Sequence, residues 1–355
     1  MPNTTAVRTA QVGAAPFFAG KNKVINGDFT INQRNFTSNT AHASYNFDRW
    51  AQYNFSNSGT VTTTPQTFTP GSAPVSGYEG KTFVQIVTAS QTQTSDYATL
   101  SQKIEDVRTF AGQTVTVSFW AKAASGTPKI ALAIDQSFGS GGSPSSTVTT
   151  SGGTVTLSTS WTRYSLTVSI PSISGKTIGT TANTSSLDIS LWVSSGSLYA
   201  QGQSIGNQNN TFQIWGVQVE AGSTATAFQT ATGTIQGELA ACQRYYNEYA
   251  NAGYNYLGAV SASGGNLQSL ITYPVTMRIA PSVSLNLTNA NYLTNWRLEV
   301  AYVGGAVTKT GTVTINTAST ELGCIVALTG ATWSSTPNVF AVLAGVGKIQ
   351  LSAEL

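Results

Sequence analysis

The sequence contains little charge. Only 9% of its 355 residues are Asp, Glu, Lys or Arg, against about 25% in an average soluble protein. The net charge is +3, and the basic residues form no run of the kind that binds a phosphate backbone, so nucleic acid is not an expected partner. Disorder is not indicated either, because disordered chains have few aromatic residues, whereas this one has 7 Trp, 14 Tyr and 14 Phe.

Histidine and cysteine are also scarce. The sequence has one histidine, His42, and two cysteines, Cys242 and Cys324, neither of them in a C-x-x-C pair. A zinc site of the Cys/His type therefore lacks ligands, and both cysteines are expected to be small buried hydrophobic residues. His42 lies in the polar stretch SNTAHASYN, which is more typical of a surface loop than of a catalytic base.

No catalytic pattern emerges from the other functional groups. Glycoside hydrolysis needs two carboxylates about 5–10 Å apart. Acids in the predicted first sandwich include Asp96, Glu105, Asp106, Asp135, Asp188 and Glu220, and none of them is paired in a recognisable motif. The neighbours Glu105 and Asp106 would point to opposite faces of a strand. The glycine-rich FGSGGSPSS lacks a phosphate-loop pattern. We predict that the protein is not an enzyme and has no cofactor.

Long apolar runs are absent too. No segment approaches ~18 consecutive apolar residues, so no membrane insertion is predicted. The N-terminal stretch MPNTTAVRTAQVGAAPFFAGKN lacks the unbroken apolar region of a secretory signal. This combination fits a particle that is assembled in the cytoplasm of a host cell and released by lysis.

Short alternating runs fill most of the chain. In QTVTVSFWAKA, alternate residues from Val115 are apolar, whereas Thr116, Ser118 and Trp120 share the other face. About nine or ten such runs, separated by turn signals, lie between residues 21 and 230. This spacing predicts an antiparallel β-sandwich.

One stretch, TIQGELAACQRYYNEY (234–249), is typical of a helix instead. Thr234 is the expected N-cap, and Glu238 would lie near the positive end of the helix dipole. A 3-4-3 spacing predicts one apolar stripe, formed by Leu239, Cys242, Tyr246 and Tyr249. About eight further strands follow the helix, enough for a second, smaller sandwich or barrel.

A series of motifs resembles a known family. INGDF, NQRN, FDRW, QKIEDVRTFAGQTVTVSFWAKA, STSWTRYSLTV, IWGVQVEAGSTATAF and GELAACQRYYNEY occur in this order. Together they resemble bacteriophage tail-fibre-like virion proteins with a jelly-roll domain of the carbohydrate-binding-module type. YPVTMRIAPSVSL and IQLSAEL look like the domain that follows in the same group. The resemblance covers most of residues 22–355.

The resemblance implies an all-β fold: a jelly-roll β-sandwich, a short linking helix and a second, smaller C-terminal β-sandwich. We predict an anchoring arm (1–20), a carbohydrate-binding-like jelly roll (21–230), a linker helix (231–250) and a C-terminal sandwich (251–355). The arm is expected to bind other virion proteins. Fibres of this kind are commonly homotrimers, so the apolar stripe of the helix packs either on its own domain or around a threefold axis.

The predicted function is that of a structural virion protein, a fibre or spike subunit that attaches to glycan on the host surface. A capsid or head decoration protein, or a head fibre, is the first alternative, since the chain lacks a long trimerising shaft. A glycan-degrading spike enzyme is the second.

Two tryptophans are the candidate carbohydrate-binding residues. Trp120 shares a strand face with Ser118, and Trp192 shares one with Asp188 and Ser190. An aromatic plane beside short polar side chains suits a sugar ring. The alternative is that a loop or a neighbouring subunit covers these faces. The tryptophans on more apolar strands are predicted to be core residues: Trp50, Trp161, Trp215 and Trp296.

Related jelly rolls often hold a structural calcium ion, and the resemblance places Asp28 among its ligands. The last strand of the sandwich, around Ile214, should supply an acidic pair, but it offers no carboxylate before Glu220. Because calcium takes six to eight oxygen ligands, no metal is predicted.

Overall fold

The computed structural model describes residues 20–355 apart from 58, 76–77, 251–259, 264–265, 287–296, 303–304, 308–311, 316–319, 321, 330–340 and 345–347. For part of the chain beyond residue 249 it describes only the backbone. The chain divides into two compact units, Met1–Ala241 with Leu355, and Cys242–Glu354. The predicted arm lies outside the described residues except for Gly20, and so does Trp296.

Eleven antiparallel strands build the first unit. They are β1 (Ser44–Tyr45), β2 (Ala51–Phe55), β3 (Thr60–Thr67), β4 (Thr82–Ala89), β5 (Tyr97–Glu105), β6 (Thr114–Ala123), β7 (Lys129–Ser137), β8 (Val148–Thr156), β9 (Thr162–Ser169), β10 (Ser186–Ser195) and β11 (Thr211–Ala221). A 3₁₀ turn, Ala200–Gly202, lies between β10 and β11. The strands form a six-stranded sheet in the order β1-β2-β5-β10-β7-β8 and a five-stranded sheet in the order β3-β4-β11-β6-β9.

The two sheets pack face to face over one hydrophobic core. The alternation in β6 places Val117 and Phe119 in this core, and the alternation in β10 does the same with Ile189 and Leu191; all four are fully buried. Each such side chain contributes roughly 1.5–3 kcal/mol on burial. The prediction of an all-β jelly-roll sandwich is confirmed.

The helix is shorter than predicted. It spans Ile235–Gln243 as α1, and the Thr234 side chain caps it by accepting a hydrogen bond from Gly237 N at 3.1 Å. Tyr246 and Tyr249 belong to a strand, β12 (Tyr246–Ala250). The predicted apolar stripe was therefore wrong, because Leu239 is exposed and the two tyrosines lie in a strand. Tyrosine favours strands as well as apolar helix faces. Cys242 is buried, as expected.

The second unit is also antiparallel. Its other described strands are β13 (Val260–Ser263), β14 (Asn266–Thr272), β15 (Ser282–Asn286), β16 (Arg297–Tyr302), β17 (Gly305–Val307), β18 (Thr312–Ile315), β19 (Gly323–Thr329), β20 (Ala341–Ala344) and β21 (Lys348–Ser352). They form sheets in the orders β12-β21-β15, β13-β14-β19-β18 and β17-β16-β20. This small second β-unit agrees with the predicted fold class.

Across the described parts of both units, no helix is both long enough and apolar enough to cross a bilayer.

Candidate functional site

A cleft of about 330 Å³ lies on the outer face of the six-stranded sheet. Its floor is set by the register of β10 between β5 and β7. Three outward residues of β10 each have a partner on both sides: Trp192 lies opposite Thr99 and Ala131, Ser190 opposite Ser101 and Ala133, and Asp188 opposite Lys103 and Asp135. The cleft is therefore aromatic at one end and charged at the other.

Three aromatic rings form the apolar end. The ring centroid of Tyr97 lies 5.5 Å from that of Trp192 and 4.6 Å from that of Tyr199. Trp192 also packs on Ala131 and Ala133, whose small side chains leave room for the indole. Tyr53 lines the cleft beside this group. Because Tyr97 and Tyr199 are only half-buried, part of each ring remains available to a ligand.

The chain between β10 and β11 holds Tyr199 in place. Gln203 follows the 3₁₀ turn and ties it to two strands: its Nε2 donates to Leu132 O at 2.7 Å, and its Oε1 accepts from Gly153 N at 2.9 Å. A Cβ atom at Gly202 would lie 2.0 Å from Ser195 Oγ. Glycine is therefore required for the turn to approach β10 this closely.

The indole N–H of Trp192 has no hydrogen-bond acceptor within the described part of the chain. Trp192 is only 8% exposed, so the N–H group is buried at the cleft floor. Buried tryptophan N–H groups usually have a partner. Beside it, Ser101 Oγ donates to Ser190 Oγ at 2.9 Å and lies 3.3 Å from Thr99 Oγ1.

Two carboxylates form the charged end. Asp188 accepts a hydrogen bond from Ser186 Oγ, and Asp135 accepts one from Thr149 Oγ1, both at 2.5 Å. Burial raises the pKa of both carboxyl groups; the hydroxyl groups and the Lys103 charge near Asp188 oppose this rise. The charge of Asp135 adds to the rise at Asp188.

The arrangement suits a polyhydroxylated ring. Aromatic faces offer apolar contact to one side of such a ring, and the hydroxyl, carboxylate and ammonium groups can exchange hydrogen bonds with its polar edge. The described residues around the cleft contain no group of three or more His, Cys, Asp and Glu that could hold a metal ion.

Comparison with known proteins gives no family. No family model matches the sequence, and no curated protein matches it either. Among solved structures, the enzymatically active domain of tailspike protein 4 from bacteriophage CBA120 aligns with 15% identity and a TM-score of 0.32, over 57% of this chain and 21% of that chain. This chain thus spans about a fifth of the tailspike domain.

Carbohydrate-binding modules also align. The family 11 module from Clostridium thermocellum, in complex with a beta-1,3-1,4-mixed-linked tetrasaccharide, aligns with 13% identity over 54% of this chain and 99% of that chain, at a TM-score of 0.30. A family 22 xylan-binding domain from Paenibacillus barcinonensis aligns with 16% identity over 52% and 98%, also at 0.30. These TM-scores are below 0.5, so the similarities establish neither the function nor the binding site of this chain.

The structure separates the predicted site residues into two groups. Trp192, Asp188 and Ser190 lie together in the cleft. Trp120 and Ser118 lie on β6, in the other sheet. Because each residue faces outward from its own sheet, the two tryptophans point away from each other on opposite sides of the sandwich. They cannot form one platform. The interpretation that Trp120 and Ser118 bind sugar on an exposed strand face is corrected, because both side chains are buried.

A segment of the same chain covers Trp120. Phe228 lies 6.0 Å from its ring in an edge-on contact, Trp215 lies at 5.4 Å, and the Arg163 guanidinium lies 4.7 Å above the indole. Arg163 Nη2 also donates to Ser118 Oγ at 3.0 Å. At Trp120 the strand face is therefore covered by Phe228, from the loop after β11, and by Arg163 of the neighbouring strand β9.

Glu220 fixes this covering segment. Its carboxylate accepts from Thr226 N and Thr226 Oγ1, each at 2.8 Å, and from Gln218 Nε2 at 2.6 Å. Lys21 Nζ lies 3.0 Å from its second oxygen. Burial tends to raise the pKa of Glu220, but these hydrogen bonds outweigh it, and the pKa is lowered. The cover is therefore part of the folded sandwich.

The described residues do not fit the calcium site that the resemblance suggests. Glu220 is occupied by protein donors, and Asp28 accepts a hydrogen bond from Tyr78 Oη at 3.0 Å. No cluster of acidic ligands surrounds either residue within the described part of the chain. Two carboxylates engaged in this way fall short of six oxygen ligands.

The other tryptophans divide between core and partly covered positions. Trp50 and Trp215 are fully buried, as predicted, whereas Trp161 is only partly buried and packs on Phe68 and Phe83. His42 is exposed, as expected, and its ring contacts Tyr53 and Tyr97 edge-on.

Sequence reasoning missed the other eight residues that line the cleft: Tyr53, Tyr97, Thr99, Ser101, Lys103, Asp135, Tyr199 and Gln201. The alternation of β5 puts Tyr97, Thr99, Ser101 and Lys103 on one face. It is the only sequence pattern that pointed to any of these residues.

Proposed function

We propose that this protein binds glycan through the cleft on its six-stranded sheet. The observation that carries the proposal is the buried N–H of Trp192, a residue of the cleft lining, which has no acceptor among the described residues. A sugar hydroxyl or ring oxygen supplies that acceptor. Removing a buried donor from water without a hydrogen bond costs about 1–3 kcal/mol, and a bound glycan would recover this cost.

The neighbouring groups extend the recognition. Tyr97 and Tyr199 contact the apolar face of the sugar ring, as aromatic side chains do in small-molecule sites. Ser190 and Ser101 hydrogen-bond hydroxyl groups next to the rings. Asp188 and Lys103, which are cross-strand partners, bind hydroxyl groups at the charged end. With two carboxylates facing one ammonium group, the cleft favours an uncharged glycan over an anionic one.

The binding claim is tested with purified host-surface polysaccharide. Trp192→Ala should abolish retention on immobilised glycan, whereas Trp161→Ala, a change in a partly buried tryptophan outside the cleft, should leave it unchanged. Circular dichroism of both variants controls for folding. Equal retention of the two folded variants would eliminate the cleft as the site.

We further propose that the chain is a virion fibre or spike subunit, anchored by its first 20 residues and assembled as a homotrimer. The sequence motifs that resemble tail-fibre-like proteins support this assignment. Deleting residues 2–20 should leave folded protein that no longer enters particles, and light scattering should give a trimeric mass. A truncated protein that is still incorporated would place the anchor elsewhere.

Glycan cleavage is the second candidate, and one observation favours it. Asp188 lies directly opposite Asp135, and residues in such pairs have Cβ atoms about 4.5–5.5 Å apart. Retaining glycosidases hold their two carboxyl groups about 5–5.5 Å apart. A reducing-end assay on host polysaccharide separates the candidates: activity lost in both Asp135→Asn and Asp188→Asn would establish cleavage, and its absence in the parent protein would leave binding alone.

A further inference from the structure

A second cavity, of about 410 Å³, lies between the start of α1 and the turn that contains Asp28. Two carboxylates and two aromatic rings line it: Asp28, Glu238, Tyr78 and Phe228. The cavity lies on the side of the five-stranded sheet and is separate from the glycan cleft. Asn26 and Gly27 immediately precede Asp28. Val217 N donates to Gly27 O at 2.8 Å, which fixes this turn to β11.

The cavity is negatively charged. Asp28 is 7% exposed and Glu238 is 1% exposed. No lysine, arginine or histidine is among the described residues that line it. Buried carboxylates without a nearby cation are costly, so the cavity favours a positively charged guest.

Hydrogen bonds within the protein satisfy one carboxylate. Glu238 Oε2 accepts from Asn26 N at 2.7 Å, and Glu238 Oε1 accepts from Thr232 N at 2.7 Å and from Thr232 Oγ1 at 2.9 Å. Glu238 thus ties α1 to the N-terminal turn and contributes its charge to the cavity, with both oxygens engaged.

Asp28 differs, because one of its oxygens lacks a donor. Tyr78 Oη donates to Asp28 Oδ2 at 3.0 Å, but Asp28 Oδ1 is buried and has no hydrogen-bond donor within the described residues. Burial, followed by the charges of Asp28 and Glu238, raises the pKa of Tyr78, so the phenol remains a donor. The unpaired acceptor among the described residues of this lining is therefore Asp28 Oδ1.

Aromatic faces complete the environment. Phe228 and Tyr78 lie with centroids 5.3 Å apart at an interplanar angle of 81°. Both residues line the cavity, and an aromatic face attracts a cation within about 6 Å.

We propose that this cavity binds a primary alkylammonium group, which donates an N–H to Asp28 Oδ1 and lies against the Tyr78 and Phe228 rings. A quaternary ammonium group has no N–H to donate, and a neutral alcohol does not compensate the two negative charges. A divalent metal ion would find too few free oxygens. The ammonium group comes from a lysine side chain or from an amino sugar.

The experiment uses the full-length chain and small probes. Binding of n-butylammonium is followed by the amide resonances of Asp28 and Tyr78, with n-butanol and tetramethylammonium at equal ionic strength as controls. N-acetyl-lysine amide and glucosamine then distinguish the two sources of the ammonium group. We expect saturable shifts with n-butylammonium and with one of these two probes, and none with the controls.

Variants locate the site. Asp28→Asn should weaken n-butylammonium binding about tenfold or more, the loss expected for one charge-assisted hydrogen bond. Asp106→Asn makes the same chemical change at an exposed carboxylate and should have no effect. If Asp28→Asn does not fold, Phe228→Leu replaces it and should weaken binding several-fold.

Three results would overturn the proposal: equal binding of n-butylammonium and tetramethylammonium, unchanged binding in the folded variants, or shifts produced by calcium but by no ammonium probe. None of these results depends on the glycan cleft, so this test and the glycan tests fail independently.

Discussion

Asp188 and Asp135 lie directly opposite each other where β10 pairs with β7, and burial raises the pKa of both carboxyl groups. Two like charges side by side on a sheet are unfavourable. A folded protein keeps such a pair at a measurable cost in stability, and pairs of this kind are concentrated at functional sites. Their position at the end of an aromatic cleft supports a role in ligand binding.

The first prediction concerns the pH dependence of this pair. A carboxyl group whose folded-state pKa is raised stabilises the protein at low pH, and this contribution is lost as the pH rises through the folded-state pKa. Asp188→Asn should therefore increase the free energy of unfolding at pH 7, and the gain should shrink towards pH 4. Urea titrations at several pH values measure it. A gain that grows as the pH falls would contradict the account.

Glu220 should behave in the opposite way. Its pKa is lowered from the usual 4.5, so its contribution to stability is present above that value and is lost as the pH falls below it. Glu220→Gln should destabilise the protein by about 2 kcal/mol at neutral pH, since it weakens hydrogen bonds to a charged group. The variant should also lose less stability in acid than the parent.

Asp106→Asn is the matched control for this change, since it alters an exposed carboxylate. It should leave both the neutral-pH stability and the acid response near those of the parent. Equal effects of the two variants would show that Glu220 does not hold the covering segment.

Trp120 should matter for stability and not for glycan binding. It is buried under Phe228 and Arg163, so Trp120→Ala should cost about 3–5 kcal/mol, the usual penalty for removing a large buried aromatic side chain. Glycan retention by the folded fraction should be unchanged. Loss of binding without loss of stability would restore Trp120 as a sugar contact.

Gly216 should be the least replaceable glycine near this cover. Its φ is +65°, and a Cβ atom there would lie 2.8 Å from Trp120 Cε3. Gly216→Ala should therefore combine a backbone cost of about 1–2 kcal/mol with about 1–3 kcal/mol of overpacking.

Gly71 provides the comparison. Its φ is +80°, and no described atom lies within 4 Å of the position that a Cβ atom would take there, so Gly71→Ala should carry the backbone cost alone. Thermal unfolding of both variants measures the difference, and equal losses would contradict the proposed clash with Trp120.

The sequence predicted the fold class and three cleft residues because alternation is a local property. Val117 and Phe119 alternate with polar residues on β6, and this pattern alone assigns their faces. The same rule placed Trp192 beside Asp188 and Ser190. Local chemistry also identified Thr234 as the helix cap.

Relationships between distant segments were not predictable in this way. Asp135 meets Asp188 only because β7 lies next to β10 in the sheet, and strand order is not visible in alternation. From the sequence, Trp120 and Trp192 looked equivalent, because the alternation within a strand does not show to which of the two sheets the strand belongs. The cover over Trp120 depends on Glu220 of β11 binding Thr226, which lies in the following loop, and that loop has no periodic pattern.

The most direct test of the central claim is an NMR titration of the seven tryptophan indole N–H resonances with oligosaccharides from the host surface, assigned by single Trp→Phe variants. We predict that the Trp192 resonance moves in a saturable way, because its N–H gains an acceptor, while those of Trp50, Trp120 and Trp215 stay in place. A Trp192 resonance that stays unchanged while another indole responds would contradict the assignment of the cleft as the glycan site.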